Sequence, residues 1–182
     1  MSTINVYTGP MKSGKTKLLI EKYLELKKQG KRCVMIKPDI DKRFSEKEVV
    51  DRDGNKIPCY NIHKLYELDR LMYLNDYIFI DEFQFLSGDI KIITDAADYR
   101  HKEFYISGLN LTTDKNTFGL MGNLLCIADN IVILKGKCDL CGKPSKYSFC
   151  TVEKKNTILI GDDVYKSVCE KCYNKLMENK SV

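Results

Sequence analysis

The chain has 182 residues, enough for one well-packed domain with a small appendage but too few for a second large lobe. Apolar residues make up 43% and charged residues 30%, as in an ordinary globular protein, and no apolar run is long enough to span a bilayer. The N-terminal residues lack the pattern of a signal peptide, and eight cysteines without such a signal are more often metal ligands than disulfides. We therefore expect a cytoplasmic protein that does not contact membranes.

The net charge of +5 is a weak indication of nucleic-acid binding. From Lys135 onward there are ten Lys and six Asp or Glu, so +4 of the +5 lies in the last quarter of the chain. A DNA-binding protein of this size more often has a dense basic face interleaved with aromatic residues. Here lysines alternate with acids, which is typical of a solvated surface, and we expect no stable nucleic-acid partner.

The first predicted elements are a strand, a glycine-rich loop and a helix. Residues 3–7 favour a strand, and residues 16–28 place apolar side chains at helical spacing until the stop at Gly30. The pattern G-x-x-x-x-G-K-[ST] between them wraps a triphosphate in backbone N–H groups at a helix N-terminus. A chance glycine-rich turn is the alternative, which the flanking strand and helix disfavour. The loop consists of Gly9, Pro10, Met11, Lys12, Ser13, Gly14, Lys15 and Thr16.

Two side chains of this loop have specific expected roles. Lys15 is expected to reach the β- and γ-phosphates of ATP. The Thr16 hydroxyl is expected to bind a magnesium ion. The loop therefore predicts a site for ATP together with Mg²⁺.

Further β-favouring runs alternate with helical stretches or long connections. The runs cover residues 32–37, 77–80, 103–109 and 130–134, and helices are predicted over 89–99 and 120–128. This alternation predicts an α/β fold, a P-loop NTPase-like, mainly parallel sheet flanked by helices. The charged stretch between Pro38 and Pro58 has no sustained period, and we expect part of it to be mobile.

Two carboxylates, Asp81 and Glu82, follow the predicted strand 77–80. Ligands of α/β sheets bind at the carboxyl ends of the strands. If this strand neighbours the first one, both carboxylates face the triphosphate, so that Asp81 can hold Mg²⁺ and Glu82 can take a proton from an attacking hydroxyl. The structural alternative is a turn or a helix cap, which the phosphate loop in the same chain disfavours.

Two cysteine pairs near the C-terminus predict a structural zinc site. Cys138-x-x-Cys141 is followed, after 27 intervening residues, by Cys169-x-x-Cys172. Four thiolates complete a tetrahedral shell and leave no position for a reactive water. Because a ribbon of this size has little core, the metal would supply much of its folding free energy.

The remaining cysteines are less informative. Cys150 is the one plausible competing ligand, but it lacks a partner at short spacing. Cys33 and Cys126 are expected to be buried in a strand and a helix. We expect two domains, a P-loop ATP-binding or kinase domain over residues 1–135 and a small C-terminal zinc-ribbon domain with a lasso loop over residues 136–182.

In combination these motifs resemble the zinc-containing thymidine kinases of animals, bacteria and large DNA viruses, over about residues 4–173. Beyond the phosphate loop and the cysteine pairs, the resemblance rests on four matches, Lys37-Pro38-x-x-Asp41-x-Arg43, Asp81-Glu82-x-Gln84-Phe85, Phe118-Gly119 and Tyr165 ahead of Cys169-x-x-Cys172-Tyr173. A nucleic-acid-dependent P-loop ATPase shares two of these features, but such motors use a second lobe or an assembly. That ATPase and a zinc-ribbon binding module remain alternatives.

The resemblance implies transfer of the γ-phosphate of ATP to the 5′-hydroxyl of thymidine, with deoxyuridine usually tolerated, in nucleoside salvage. It implies that Glu82 is the general base and that Arg43 neutralises charge on the moving phosphoryl group. It also implies a homotetramer, built as a dimer of dimers, and feedback inhibition by thymidine triphosphate. The nucleoside contacts that it implies are Asp41, Phe85, Phe118 and Tyr165, with a lasso loop that includes Thr157, Ile158, Leu159, Ile160 and Gly161.

The sequence departs from the family pattern at several positions. Lys12 replaces a usual aromatic residue of the phosphate loop, and Arg52 replaces a frequent histidine. Asn110 and Thr113 differ from a usual Asp and aromatic, and the turn at Gly161 is one residue shorter.

Overall fold

A parallel six-stranded sheet forms the centre of the computed structural model, which describes residues 3–42, 45–152 and 164–180. The strands of the described residues are β1 (Ile4–Thr8), β2 (Cys33–Pro38), β3 (Glu48–Val50), β4 (Lys56–Pro58), β5 (Tyr60–Ile62), β6 (Tyr77–Ile80), β7 (Glu103–Gly108), β8 (Asn130–Ile133), β9 (Gly136–Lys137), β10 (Pro144–Ser145), β11 (Tyr147–Cys150) and β12 (Tyr165–Val168). The order in the central sheet is β5-β2-β6-β7-β1-β8, and every neighbouring pair is parallel. The predicted α/β fold with a mainly parallel sheet is thus confirmed.

Helices connect strands of the central sheet, and a last helix follows β12. They are α1 (Lys15–Lys28), α2 (Leu68–Met72), α3 (Lys91–Arg100), α4 (Met121–Ile127) and α5 (Glu170–Lys180), with 3-10 turns at Leu65–Glu67 and Phe83–Phe85. The predicted helices over 16–28, 89–99 and 120–128 match α1, α3 and α4 to within two residues at each end. Within the described ranges, none of the helices has the length and apolarity needed to cross a membrane.

Each face of the central sheet is covered by its own apolar core. Successive side chains of a strand point to opposite faces, so Ile78 and Ile80 of β6 join one core and Phe79 joins the other. Phe79 stacks on Tyr105 of β7, with ring centroids 4.9 Å apart, beneath Leu19 of α1. Strands buried on both faces read as continuous apolar runs, which is why β2, β6 and β7 could be recognised in the sequence.

The strand order corrects one premise of the sequence interpretation. Strand β6, which precedes Asp81, is not the neighbour of β1, because β7 lies between them. One intervening strand separates their ends by about 10 Å, since neighbouring strands lie about 4.8 Å apart. Helix α1 packs over β7 and can still bring residues at its start to the end of β6.

The structure adds a hairpin to the sequence interpretation and corrects the expected burial of one cysteine. The stretch between Pro38 and Pro58 contains a β-hairpin of β3 and β4, which packs Val49 and Ile57 into the core beside α1. Strands of three residues are too short to show a period in the sequence. Cys126 is exposed rather than buried, because it lies on the outer face of α4, whereas Cys33 is buried as expected.

The C-terminal ribbon consists of two antiparallel strand pairs and a helix. Strand β9 pairs with β10, β11 pairs with β12, and α5 packs on β11. Its core is small and is formed by Cys138, Tyr147, Phe149, Val168 and Tyr173. So little apolar volume is consistent with a fold that depends on metal.

Candidate active site and metal centre

The phosphate loop connects the end of β1 to α1, and its glycines have the conformations that the motif requires. Gly14 caps α1 with φ +87°, in the left-handed region where glycine is favoured. Gly9 has φ +143°, and a Cβ there would lie 2.2 Å from the carbonyl oxygen of Leu134. The buried Lys15 donates from Nζ to the carbonyl oxygen of Pro10 at 2.7 Å, so its ammonium group lies inside the loop.

Thr16 and Asp81 meet across the intervening strand. Thr16 Oγ1 lies 3.1 Å from Asp81 Oδ2, and the buried Ser107 of β7 donates its hydroxyl to Asp81 Oδ1. A hydroxyl and a carboxylate are the oxygen ligands that Mg²⁺ takes beside a nucleotide triphosphate. These residues therefore fit a magnesium site.

Glu82 follows Asp81 in a strained backbone conformation. Its φ of +53° is left-handed, which is uncommon for a residue with a Cβ and is often found at functional sites. The buried carboxylate accepts a hydrogen bond from Gln84 Nε2, and Gln84 Oε1 accepts one from the Leu109 N–H at 2.9 Å. Gln84 thus fixes the orientation of the Glu82 carboxylate.

Of the groups described above, Gly14, Lys15, Thr16, Asp81 and Glu82 line one cavity of about 270 Å³. Gly9 and Pro10 of the loop are not part of the cavity lining. The aromatic residues expected to contact the nucleoside, Phe85, Phe118 and Tyr165, are not part of it either. Five basic and six acidic side chains line the cavity, a mixture that suits a phosphate chain together with a divalent cation rather than a bare anion. The lining consists of Met11, Lys12, Ser13, Gly14, Lys15, Thr16, Lys17, Lys37, Asp41, Glu48, Val49, Val50, Asp51, Arg52, Asp53, Asp81, Glu82 and Leu109.

Lys37 is a site residue that the sequence analysis matched to the family pattern without assigning it a role. It is 2% exposed at the end of β2, where its Nζ donates to the carbonyl oxygen of Glu48 at 3.1 Å and to that of Ser45. The available indication was a lysine directly after four apolar residues of a strand, the same pattern that marked Asp81.

The β3–β4 hairpin supplies one wall of the cavity. Asp51 accepts the N–H groups of Asp53 and Asn55 at 3.0 and 2.9 Å, which closes the turn, and Lys17 pairs with Asp53 at 2.7 Å. Arg52 lines the cavity beside them. The sequence offered one indication of this wall, the Asp53-Gly54 turn.

The expected nucleoside residues are only partly brought together. Phe85 and Phe118 contact each other edge to face with ring centroids 5.4 Å apart, and both are partly buried. Asp41 is buried at the cavity, whereas Tyr165 lies on β12 opposite Cys150 and is absent from its lining. Burial raises the pKa of the Tyr165 hydroxyl, which keeps it a neutral donor. Arg43 and the lasso residues Thr157, Ile158, Leu159, Ile160 and Gly161 lie outside the described residues.

The four cysteines of the two pairs form one cluster. The sulfur atoms of Cys138, Cys141, Cys169 and Cys172 all lie within 4.8 Å of one another, and Cys150 is not among them. A tetrahedral zinc site with Zn–S bonds of about 2.3 Å needs sulfur atoms about 3.8 Å apart, so the cluster fits that metal.

The environment of Cys138 lowers the pKa of its thiol. Its burial opposes the thiolate, but N–H groups of Cys169, Leu140 and Cys141 donate to the sulfur and lower its pKa to about 6. A thiolate is the form in which cysteine binds zinc.

The fold and the site define a class of protein. A parallel sheet with a phosphate loop after β1 and an acidic residue at the end of β6 is the arrangement of P-loop nucleotide-binding proteins.

Comparison with known proteins places the chain within that class. The family model described as thymidine kinase matches residues 2–173. The thymidine kinase of Mesomycoplasma hyopneumoniae strain 7448 is 34% identical over 174 residues, which cover 94% of this chain and 95% of the relative. That of Choristoneura biennis entomopoxvirus is 34% identical over 180 residues, covering 95% and 97%, and that of Oryza sativa subsp. japonica is 33% identical over 177 residues, covering 93% and 65%. This chain belongs to the thymidine kinase family, and it is a kinase.

A solved structure, that of AMPPCP-bound DnaA from Aquifex aeolicus, aligns with a TM-score of 0.45 at 16% identity. The aligned part covers 76% of this chain and 42% of that one.

Proposed function

We propose that this chain transfers the γ-phosphate of ATP to the 5′-hydroxyl of thymidine, and also of deoxyuridine, in pyrimidine deoxynucleoside salvage. The observation that supports this most directly is the meeting of Lys15, the Thr16–Asp81 pair and Glu82 at one cavity, in a chain of the thymidine kinase family. A phosphate site and a proton acceptor beside it are the two elements that phosphoryl transfer to a hydroxyl requires.

The phosphate loop binds and orients the phosphate chain of ATP in this proposal. Its N–H groups lie at the N-terminus of α1, where unpaired donors and the helix dipole favour an anion. Lys15 moves its ammonium group from the carbonyl oxygen of Pro10 to the phosphates and neutralises them. Arg43 is proposed to neutralise charge on the moving phosphoryl group.

Thr16 and Asp81 would hold the magnesium ion, since they bring a hydroxyl and a carboxylate oxygen within 3.1 Å of each other. Mg²⁺ bound there supplies positive charge that neutralises the phosphate oxygens. Ser107 keeps the Asp81 carboxylate in place by donating to its other oxygen.

Glu82 takes the proton from the 5′-hydroxyl as the general base. Its carboxylate is buried and lines the cavity, and Gln84 fixes its orientation. The proton moves from the hydroxyl oxygen to the Glu82 carboxylate while that oxygen forms its bond to phosphorus.

The nucleoside is proposed to bind between the cavity and the aromatic pair. Phe85 and Phe118 provide an apolar surface for the base or the sugar, and Asp41 and Tyr165 provide polar contacts. The lasso residues Thr157, Ile158, Leu159, Ile160 and Gly161 are proposed to close over the base and to recognise it mainly through backbone groups.

We further propose one structural zinc ion per chain at the four cysteines, which the sulfur positions support.

The proposed domains remain residues 1–135 and 136–182. Eight cysteines without a disulfide suit a reducing compartment, which supports a cytoplasmic location.

The proposed assembly is a homotetramer, a dimer of dimers. The edge strand β8 supports self-association because it leaves Ile131, Val132 and Ile133 between 41 and 67% exposed. Feedback inhibition by thymidine triphosphate is proposed from the resemblance alone.

Labelled ATP incubated with thymidine, deoxyuridine and the other deoxynucleosides tests the proposal. We expect label on thymidine and deoxyuridine without any nucleic acid. Lys15→Ala should abolish the transfer, whereas Lys28→Ala, an exposed lysine at the end of α1, should not. ATP hydrolysis that requires added single-stranded DNA, with transfer to no nucleoside, would instead establish the nucleic-acid-dependent ATPase. A zinc-ribbon binding module would keep its function in Lys15→Ala.

A further inference from the structure

Three contacts join the phosphate loop to the C-terminal ribbon. The Met11 N–H donates to Oγ of Ser148 on β11 at 3.0 Å, and both residues are buried. Lys12 Nζ lies 3.1 Å from Oδ2 of Asp139, in the turn between Cys138 and Cys141. The ribbon therefore contacts the loop that would hold the phosphates of ATP.

The third contact is made by the backbone of Lys12. A Cβ added to Gly136 of β9 would lie 3.2 Å from the carbonyl oxygen of Lys12, so the ribbon packs directly against the loop. Lys12 itself has φ +60°, in the left-handed region that residues with a Cβ seldom adopt. Such a conformation persists where the surroundings hold it, and Asp139 and Gly136 are two groups that contact Lys12 here.

Asp139 is held firmly within the ribbon. Its Oδ2 accepts the N–H of Ser167 at 2.9 Å, and its own N–H donates to the carbonyl oxygen of Ser167 at 2.8 Å. Ser167 precedes Cys169 by two residues, so Asp139 links the two cysteine turns. Closing the four thiolates around a metal would therefore also fix Asp139.

The bond from Met11 to Ser148 limits which groups remain for phosphate. Pro10 has no N–H, and the Met11 N–H is directed at Ser148. Within residues 10–16, the first N–H left for phosphate is then that of Lys12, the residue that Asp139 contacts. Ribbon contacts thus determine where the first phosphate-binding N–H lies.

We propose that the ribbon belongs to the ATP site, with Ser148 and Asp139 as positioning residues that hold the phosphate loop through Met11 and Lys12. This inference rests on the proposed function, since it takes the loop to bind ATP. Metal bound by the cysteines then preorganises the loop, and loss of metal loosens it. The departure at Lys12, where the family pattern usually has an aromatic residue, provides the charge for this link.

Calorimetric titration of the full zinc-loaded chain with a non-hydrolysable ATP analogue and Mg²⁺ tests the proposal. We expect Ser148→Ala and Asp139→Asn each to weaken analogue binding about two- to tenfold, the effect typical of one lost hydrogen bond. The matched control is Ser145→Ala, a buried ribbon serine whose hydroxyl bonds Ser167 within the ribbon. That variant should stay within about twofold of the unaltered protein.

A double-mutant cycle separates the ion pair from the charge that Lys12 itself brings to the cavity. Asp139→Asn should cause no further loss in a chain that already has Lys12→Met, because the two residues act through one pair. Zinc content is measured for every variant. If Asp139→Asn loses zinc, Ser148→Ala decides the question, since Ser148 lies outside the cysteine turns.

Hydrogen exchange gives a readout that does not depend on activity. Amides of residues 11–16 should exchange faster after chelation of zinc, while those of β6 and β7 should not change. Equal analogue binding in all variants, with unchanged exchange in the loop, would overturn the inference and leave the kinase proposal intact. No binding of the analogue by the unaltered chain would overturn both.

Discussion

Glu82 is the residue on which the proposed chemistry depends most. Its left-handed backbone and its hydrogen bond from Gln84 direct a buried carboxylate at the cavity that also contains Lys15. A non-glycine residue in this conformation has an energetic cost of order 1 kcal/mol, which is accepted where function requires the geometry. Glu82 therefore combines a strained backbone with the carboxylate that is proposed as the general base.

We expect Glu82→Gln to lower kcat by about a hundredfold or more, because the amide cannot accept the proton of the 5′-hydroxyl. Steady-state kinetics with thymidine measures the effect, and ATP binding should change little. Glu25→Gln, on the exposed face of α1, is the matched control and should keep full activity. Near-normal turnover in Glu82→Gln would mean that another group is the base.

Glu67 is a residue whose role is stability rather than catalysis. Its carboxylate accepts the N–H groups of His63 and Lys64 at 2.8 and 2.9 Å, at the start of the 3-10 turn Leu65–Glu67. The backbone N–H of Lys64, followed by that of His63, lowers the pKa of Glu67 below its ordinary 4.5. The folded state therefore binds this proton less readily than the unfolded state does.

We expect Glu67→Ala to lower the free energy of unfolding by about 1 kcal/mol at neutral pH, the usual value of a lost cap. The folded pKa is lowered, so this contribution is complete above pH 4.5 and is lost as the pH falls through the folded pKa. Urea unfolding at pH 7 and at successively lower pH measures it. A difference between the two proteins that does not shrink on acidification would contradict the assignment.

At the scale of elements, the phosphate loop depends on close packing against the chain that follows β8. Gly9 has φ +143°, and any Cβ there would lie 2.2 Å from the Leu134 carbonyl oxygen, a backbone atom that cannot easily move. The Leu134 N–H also bonds the carbonyl oxygen of Thr8 at 2.7 Å, which fixes the two segments together. This contact positions the loop at the end of β1.

Gly9→Ala should reduce stability by about 1–3 kcal/mol, as overpacked sites do, and should also weaken binding of the ATP analogue. Gly30→Ala is the matched control, because Gly30 has φ +74° but no atom would lie within 4 Å of an added Cβ. It should cost only the left-handed strain, about 1 kcal/mol, and leave analogue binding unchanged. Chemical denaturation and calorimetry together measure both effects, and equal results for the two variants would disprove the packing explanation.

At the scale of the whole molecule, the ribbon is the part with the least apolar core, and its cysteines meet only in the folded chain. Cys169→Ser should lose the metal and unfold the ribbon, because metal binding supplies much of the folding free energy of such domains. Cys150→Ser, at the end of β11 and outside the cluster, should keep one zinc per chain. Metal analysis with far-ultraviolet circular dichroism measures both, and stoichiometric zinc in Cys169→Ser would refute the ligand set.

Local patterns determined much of this protein from the sequence alone. The phosphate loop, the acidic end of β6 and the two cysteine pairs are short motifs whose residues must be adjacent in the chain for their chemistry to work. Strands β2, β6 and β7 could also be predicted from local sequence, because burial on both faces produces continuous apolar runs. Helix α1 could be predicted because the spacing of its apolar residues marks its buried face.

Only the tertiary structure decided which distant segments meet. Strand β7 separates β1 from β6, whereas the sequence interpretation could only state what would follow if those two strands were neighbours. Strand order depends on pairings between residues far apart in the chain. Contacts between distant segments also determined three other features. These are the position of Lys37 at the cavity, the exposure of Cys126, and the contacts of Ser148 and Asp139 with the phosphate loop. Each results from packing between elements, which no local pattern of residues records.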